Sequence, residues 1–250
     1  MPHSNTSQSK GLALPPPTIV LVHGAFADAS SWSPVIELLL ERGHRVLAPP
    51  VYNRSLAADA ASVRSVVEQI DGPVLLAGHS YGGAVITVAG AADNVAGLVF
   101  VSGYALEEGE SLAQLQGRFP GSSLADHLVY SPYPTSDGAT GTDVSVEIDA
   151  FPSVFAAGLD STRARVLAVS QRPLSADAFG ETASLAAWRT TPGWGIVSAA
   201  DHTINPDVQR FGYRRAGLRS VTELDAPHLV MQTHPEEVAS VITGALAEIG

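Results

Sequence analysis

The segment Gly78-His79-Ser80-Tyr81-Gly82-Gly83 constrains the fold of this chain more than any other. It is entered from the apolar run Val74-Leu75-Leu76-Ala77 and left through a helix-compatible stretch, residues 84–92. A strand that turns directly into a helix forces its turn residue into a strained backbone conformation. Glycines two places before and after that residue let the neighbouring backbones pass. The serine oxygen then stands at the carboxyl end of the strand, beside the positive end of a helix, which suits an attacking alkoxide. The bland alternative is an ordinary glycine-rich turn. The strand before, the helix after and the order of the remaining pieces favour Ser80 as a nucleophile.

The flanking pattern alternates strand and helix. Residues 18–22 form a short, wholly apolar β-rich run of the kind buried on both faces of a parallel sheet. Helical spacing follows over 34–40 and stops at Gly43. A strand is expected over 45–48, a helix over 56–70, the strand 74–77 with its elbow, and a further strand over 97–101. From 104 to 191 the rhythm breaks into prolines, glycines and aromatics, with helical pieces expected over 149–159 and 161–171. Strands at 195–199 and 220–224 flank a helix at 206–216. Residues 225–232 form a loop, and Thr233-His234-Pro235-Glu236 has the pattern of a capping box for the closing helix. The prediction is an α/β protein: a doubly wound, mostly parallel sheet of about six core strands with right-handed crossovers. Its core comprises residues 18–103 and 192–250, residues 104–191 form a largely helical cap insertion, and residues 1–17 form a flexible tail.

Composition narrows the function classes. At 250 residues, with 45% hydrophobic and 16% charged side chains, the chain can bury a large single core. Its net charge of -11 opposes binding to nucleic acid or an anionic membrane surface. Cysteine is absent, which removes disulfides, thiolate metal sites and cysteine nucleophiles. The apolar Leu12-Ala13-Leu14 is too short for a signal-peptide core, and no run approaches the ~18 residues of a membrane span. The expectation is a soluble cytoplasmic protein acting on a small molecule, with its oligomeric state open.

A serine hydroxyl needs a base within hydrogen-bond reach, and the base needs a partner to hold its tautomer. His228, in the loop between the last strand and last helix, is the candidate base. Asp201, following the strand at 195–199, is the candidate acid, with Glu107, after the strand at 97–101, as its alternative. Asp225 lies too close to His228 in sequence to buttress it, and Asp207 suits the first turn of a helix. An oxyanion needs aimed donors. The backbone amide of Tyr81 is one candidate, and Ala25 in the loop His23-Gly24-Ala25-Phe26 is the other, with Phe26 as fallback. His23 has a structural reading, hydrogen-bonding its own loop, and His79 is expected to point away from the site. Phe26, Tyr104, Trp188 and Leu229 are candidates for the pocket lining. No cofactor is expected, and no metal: His228 and His234 lie on different elements without a third ligand at suitable spacing. The glycines around Ser80 lack the lysine of a phosphate loop.

Taken in order, the His23-Gly24 loop, the elbow, the Asp201 segment and the Pro227-His228 loop resemble the α/β-hydrolase superfamily over residues 18–249. His-Gly-Ala-Phe followed by Trp32, and the ending Pro227-His228-Leu229 through His234-Pro235-Glu236, resemble small bacterial hydrolases related to plant methylesterases and hydroxynitrile lyases. The resemblance implies a Ser80, His228, Asp201 triad under a helical cap. The S-selective lyases of that branch carry threonine where this chain has Gly24 and lysine where it has Leu229, so hydrolysis of a small or medium ester or lactone is favoured. Haloperoxidase or perhydrolase, lyase or dioxygenase chemistry, and ligand binding without turnover, use the same scaffold.

Overall fold

The structure, a computed structural model, describes residues 15–249; residues 1–14 of the expected tail lie outside the described residues. The chain begins β1 (Thr18–Val22), α1 (Ser33–Glu41), β2 (Arg45–Leu47), α2 (Leu56–Glu68), β3 (Val74–His79), α3 (Tyr81–Ala89), β4 (Val95–Val101). It then runs through α4 (Leu112–Gly117), β5 (Leu128–Pro134), β6 (Thr140–Val146), α5 (Phe151–Val154), α6 (Ser161–Ser170), β7 (Leu174–Ser175) and α7 (Ala176–Gly180). It closes with β8 (Gly193–Ser198), α8 (Pro206–Ala216), β9 (Ser220–Leu224), α9 (Val230–Thr233) and α10 (Pro235–Ile249).

Six strands form one parallel sheet in the order β2-β1-β3-β4-β8-β9. Every residue of β1, β3 and β8 is buried, which explains why these strands read as continuous apolar runs without alternation. The sheet grows outward from β1 in one direction and from β3 in the other. The carboxyl ends of these two strands therefore flank the point where the winding reverses, where open α/β sheets hold ligands. Val22 pairs with Gly78, so the loop after β1 and the elbow after β3 leave the sheet at the same level.

Close backbone approach at this edge demands glycine. A Cβ on Gly82 would stand 2.4 Å from the Val22 carbonyl oxygen, and one on Gly24 would stand 2.8 Å from Cβ of Ser80. The first contact lets α3 pack directly on β1; the second lets the β1 loop lie against the serine.

The cap differs from the sequence expectation in two respects. Besides its helices it holds a three-stranded antiparallel sheet, β5-β6-β7. Strand β5 lies at an edge, pairing only with β6, so Pro132 and Pro134 cost it no second ladder. It is mostly exposed and carries no apolar alternation to betray it. The helix expected over 149–159 shortens to α5, because the chain turns at Gly158 with φ 78° and restarts at Asp160, whose carboxylate caps Thr162 and Arg163 amides. The 225–232 loop is also partly helical, ending in α9. The expected capping box is not formed: Thr233 closes α9 and its hydroxyl bonds the Leu229 carbonyl and His234 Nδ1.

Candidate active site

Ser80 sits between β3 and α3 with φ 56° and ψ −122°, a left-handed conformation unfavourable for a residue with a side chain. The surroundings hold it there. Its amide donates to the Val101 carbonyl at 3.2 Å, and its carbonyl accepts from the Gly83 and Tyr104 amides at 2.9 and 3.3 Å. The hydroxyl bonds His228 Nε2 at 3.1 Å, and His228 Nδ1 bonds Asp201 Oδ2 at 2.7 Å. A carboxylate can only accept, so Nδ1 carries the proton and Nε2 accepts from the serine.

Each member of this line is buttressed. The loop after β8 turns back so that Asp201 Oδ1 accepts from the Thr203 and Ile204 amides, at 2.8 and 2.9 Å. Gln209 of α8 donates to Asp201 Oδ2 at 2.9 Å while its own oxygen accepts from the Ser198 amide at 3.0 Å. The carboxylate is thus tied to the strand it follows and the helix it precedes. His228 is buried between the rings of His79 and Phe155, whose centroids lie 4.6 and 5.0 Å from its own. His79 does not point clear of the site, as its position beside the serine had suggested. Its Nε2–H donates to the His228 carbonyl at 2.9 Å, fixing the loop from behind. Burial, then the neighbouring imidazole of His228, hold the His79 pKa well below the usual value, so it serves as a neutral donor.

Glu107 takes no part in this line; it pairs with Arg189 at 2.8 Å. His23 ties the loop after β1, accepting from the Val51 amide at Nε2 and donating from Nδ1 to the Gly24 carbonyl, both at 2.9 Å. Burial lowers its pKa and keeps it neutral. Beyond it Phe26 takes a positive φ of 59°, which turns the loop inward. Ala25, Phe26, Ser80, Tyr81 and Tyr104 border one small cavity of about 10 Å³. Tyr81 opens α3, so its amide has no carbonyl one turn back to bond. Its hydroxyl donates to Asp59 Oδ2 of α2 at 2.8 Å, and burial raises the pKa of both groups. Leu229 is buried but lines a neighbouring crevice with Phe26 and Phe155. Trp188 does not line the serine cavity; its indole N–H bonds the Leu106 carbonyl at 2.7 Å. Among the described residues, no three His, Cys, Asp or Glu side chains converge as metal ligands, and no helix is long and apolar enough to cross a membrane.

Gln209 and Asp59 were not singled out in the sequence, and His79 was read there as pointing away from the site. Gln209 lies one helical turn into α8 on its buried face, and an inward polar residue there was the one available signal.

Known proteins resemble this chain to different depths. A carbendazim hydrolyzing esterase of Nocardioides sp. (strain SG-4G) is 35% identical over 112 residues, 38% of this chain, and the matched region spans about half, 46%, of that relative. Polyneuridine aldehyde esterase superposes with a TM-score of 0.79 at 19% identity, covering 92% of this chain and 99% of the other. A pyrethroid hydrolase from Sphingobium faniae JZ-2 does so with a TM-score of 0.72 at 21% identity, covering 92% and 97%. A methylesterase from Arabidopsis reaches 0.76 at 16%, covering 92% and 99%. The profile of the alpha/beta hydrolase family matches residues 19–241, nearly the whole described chain. With its parallel sheet and its β3 to α3 elbow, the chain belongs to the alpha/beta hydrolase family.

Proposed function

We propose that the protein is a carboxylic-ester hydrolase working through an acyl-enzyme on Ser80. The observation that carries this reading is the unbroken line from Ser80 Oγ through His228 to Asp201, at 3.1 and 2.7 Å, rooted in a strained elbow. Ser80 Oγ adds to the ester carbonyl as its proton passes to His228 Nε2. Asp201, acceptor of the Nδ1–H, stabilises the resulting imidazolium. The tetrahedral oxyanion is bound by the amides of Tyr81 and Ala25. Its collapse breaks the bond to the alkoxy group, which leaves with the proton from His228. Water then gives its proton to the same nitrogen, attacks the acyl carbon and releases the acid, returning the proton to Ser80. The ester-cleaving names of the relative from Nocardioides and of the structural neighbours agree with this reading.

The test is intact-protein mass spectrometry after incubation with a fluorophosphonate, run beside a short-chain p-nitrophenyl ester assay. One adduct per chain, located at Ser80, with turnover that Ser80→Ala lowers about a thousandfold or more, is the expected result. Folded protein that takes no label, or a Ser80→Ala variant keeping a substantial part of its activity, overturns the covalent mechanism.

A further inference from the structure

The cavity bordering Ser80 has a volume of about 10 Å³, room for about a single water molecule. An ester cannot enter it as it stands. Outside it, between α4, the 3-10 turn Leu124–His127, the β5-β6 hairpin and α7, lies an open groove of about 490 Å³, the size of a small-molecule site. No charged side chain lines this groove, on a molecule whose net charge is -11. Its apolar walls include Phe119, Leu128, Tyr130 and Val144. Leu124 and Phe179 border both the groove and the serine cavity, so these side chains lie between the two spaces. The partition is completed by Tyr104 on the serine side, whose hydroxyl bonds the Gln116 side chain on the groove side. Phe26 borders both the serine cavity and a crevice of only about 30 Å³.

Resting on the ester-hydrolase reading, we propose that this groove receives the larger, uncharged apolar group of the substrate, with Leu124 and Phe179 as the gate to Ser80. The substrate class is an asymmetric ester: a bulky aryl or alkyl group on one side of the carboxyl, a small group on the other. The bulky group desolvates against the cap, and the small one turns toward Phe26. A free acid or a substrate charged on its bulky side is disfavoured, because the groove offers its charge no partner.

Two measurements test this. Ala125 lines the groove away from the serine cavity, and Ala125→Trp fills the space without a new charge. We expect it to lower kcat/KM for the better used of naphthyl acetate and phenyl naphthoate, relative to phenyl acetate, by about fivefold or more. A smaller change in that ratio overturns the proposal. Independently of turnover, Ser80→Ala protein irradiated with benzoylphenyl acetate should crosslink within residues 113–130, at Val144 or within residues 176–179, read by peptide mass spectrometry. Crosslinks elsewhere, or none, overturn the groove. If the wild type neither cleaves esters nor takes the fluorophosphonate, yet crosslinks there, the hydrolase reading falls and the apolar ligand site stands.

Discussion

At the scale of single residues, the site is a set of short hydrogen bonds whose partners come from distant parts of the chain. Asp201 and Glu107 were both open as the acid in the sequence, since each follows a strand that ends at the same sheet edge. In the structure Asp201 lies 2.7 Å from His228, and Glu107 is held by Arg189. Asp201→Asn should therefore lower kcat by about a thousandfold, through loss of the tautomer and of the imidazolium's counter-charge. Glu107→Gln should change it by about twofold or less, as expected of an exposed pair. Steady-state kinetics on the two variants side by side check the assignment. Ser80, His228 and Asp201 could be nominated in the sequence because each carries a local signature: a glycine-flanked turn, or a position just past a strand. Gln209 and His79 carry none, because their roles depend on which backbone amide or carbonyl the fold brings opposite them.

At the scale of elements, the elbow acts as a close-packed joint between β1, β3 and α3. Gly82→Ala places a methyl group 2.4 Å from the Val22 carbonyl oxygen, which is backbone and cannot rotate away. Destabilisation of about 3 kcal/mol is expected, seen as a lower midpoint of urea unfolding with an unchanged slope. The core strands were legible for the same reason that they are stable: burial on both faces leaves an apolar signal in every residue. β1, buried throughout, begins and ends where the sequence predicts, at Thr18–Val22; β9 does so too, at Ser220–Leu224, although its residues are exposed or half-buried. The β5-β6 hairpin was not, because its pairing is a property of backbone groups on a mostly exposed strand interrupted by prolines.

At the scale of the molecule, one interior serves both the sheet and the site, and its buried tyrosines report on it. Tyr81, Tyr104 and Tyr213 are all nearly inaccessible, and burial raises the pKa of each. In the unfolded chain a tyrosine ionises near about pH 10. Below that value both states keep the proton and stability is unaffected; above it the unfolded state alone releases protons, and stability falls as pH rises. Alkaline unfolding should therefore begin above about pH 10. Tyrosinate absorbance from these three residues should appear together with the loss of the far-ultraviolet dichroism. Ionisation of more than three phenols ahead of unfolding would contradict their burial, because Tyr52 and Tyr130 are exposed and Tyr133 is half-buried. The hydrogen-bonded line also has a timetable. Ser80 and His228 stand 148 residues apart, so a ribosome that has joined the elbow serine must add that many more before the histidine. On the proposed mechanism, a growing chain that has made the elbow but not yet His228 holds its serine without a base.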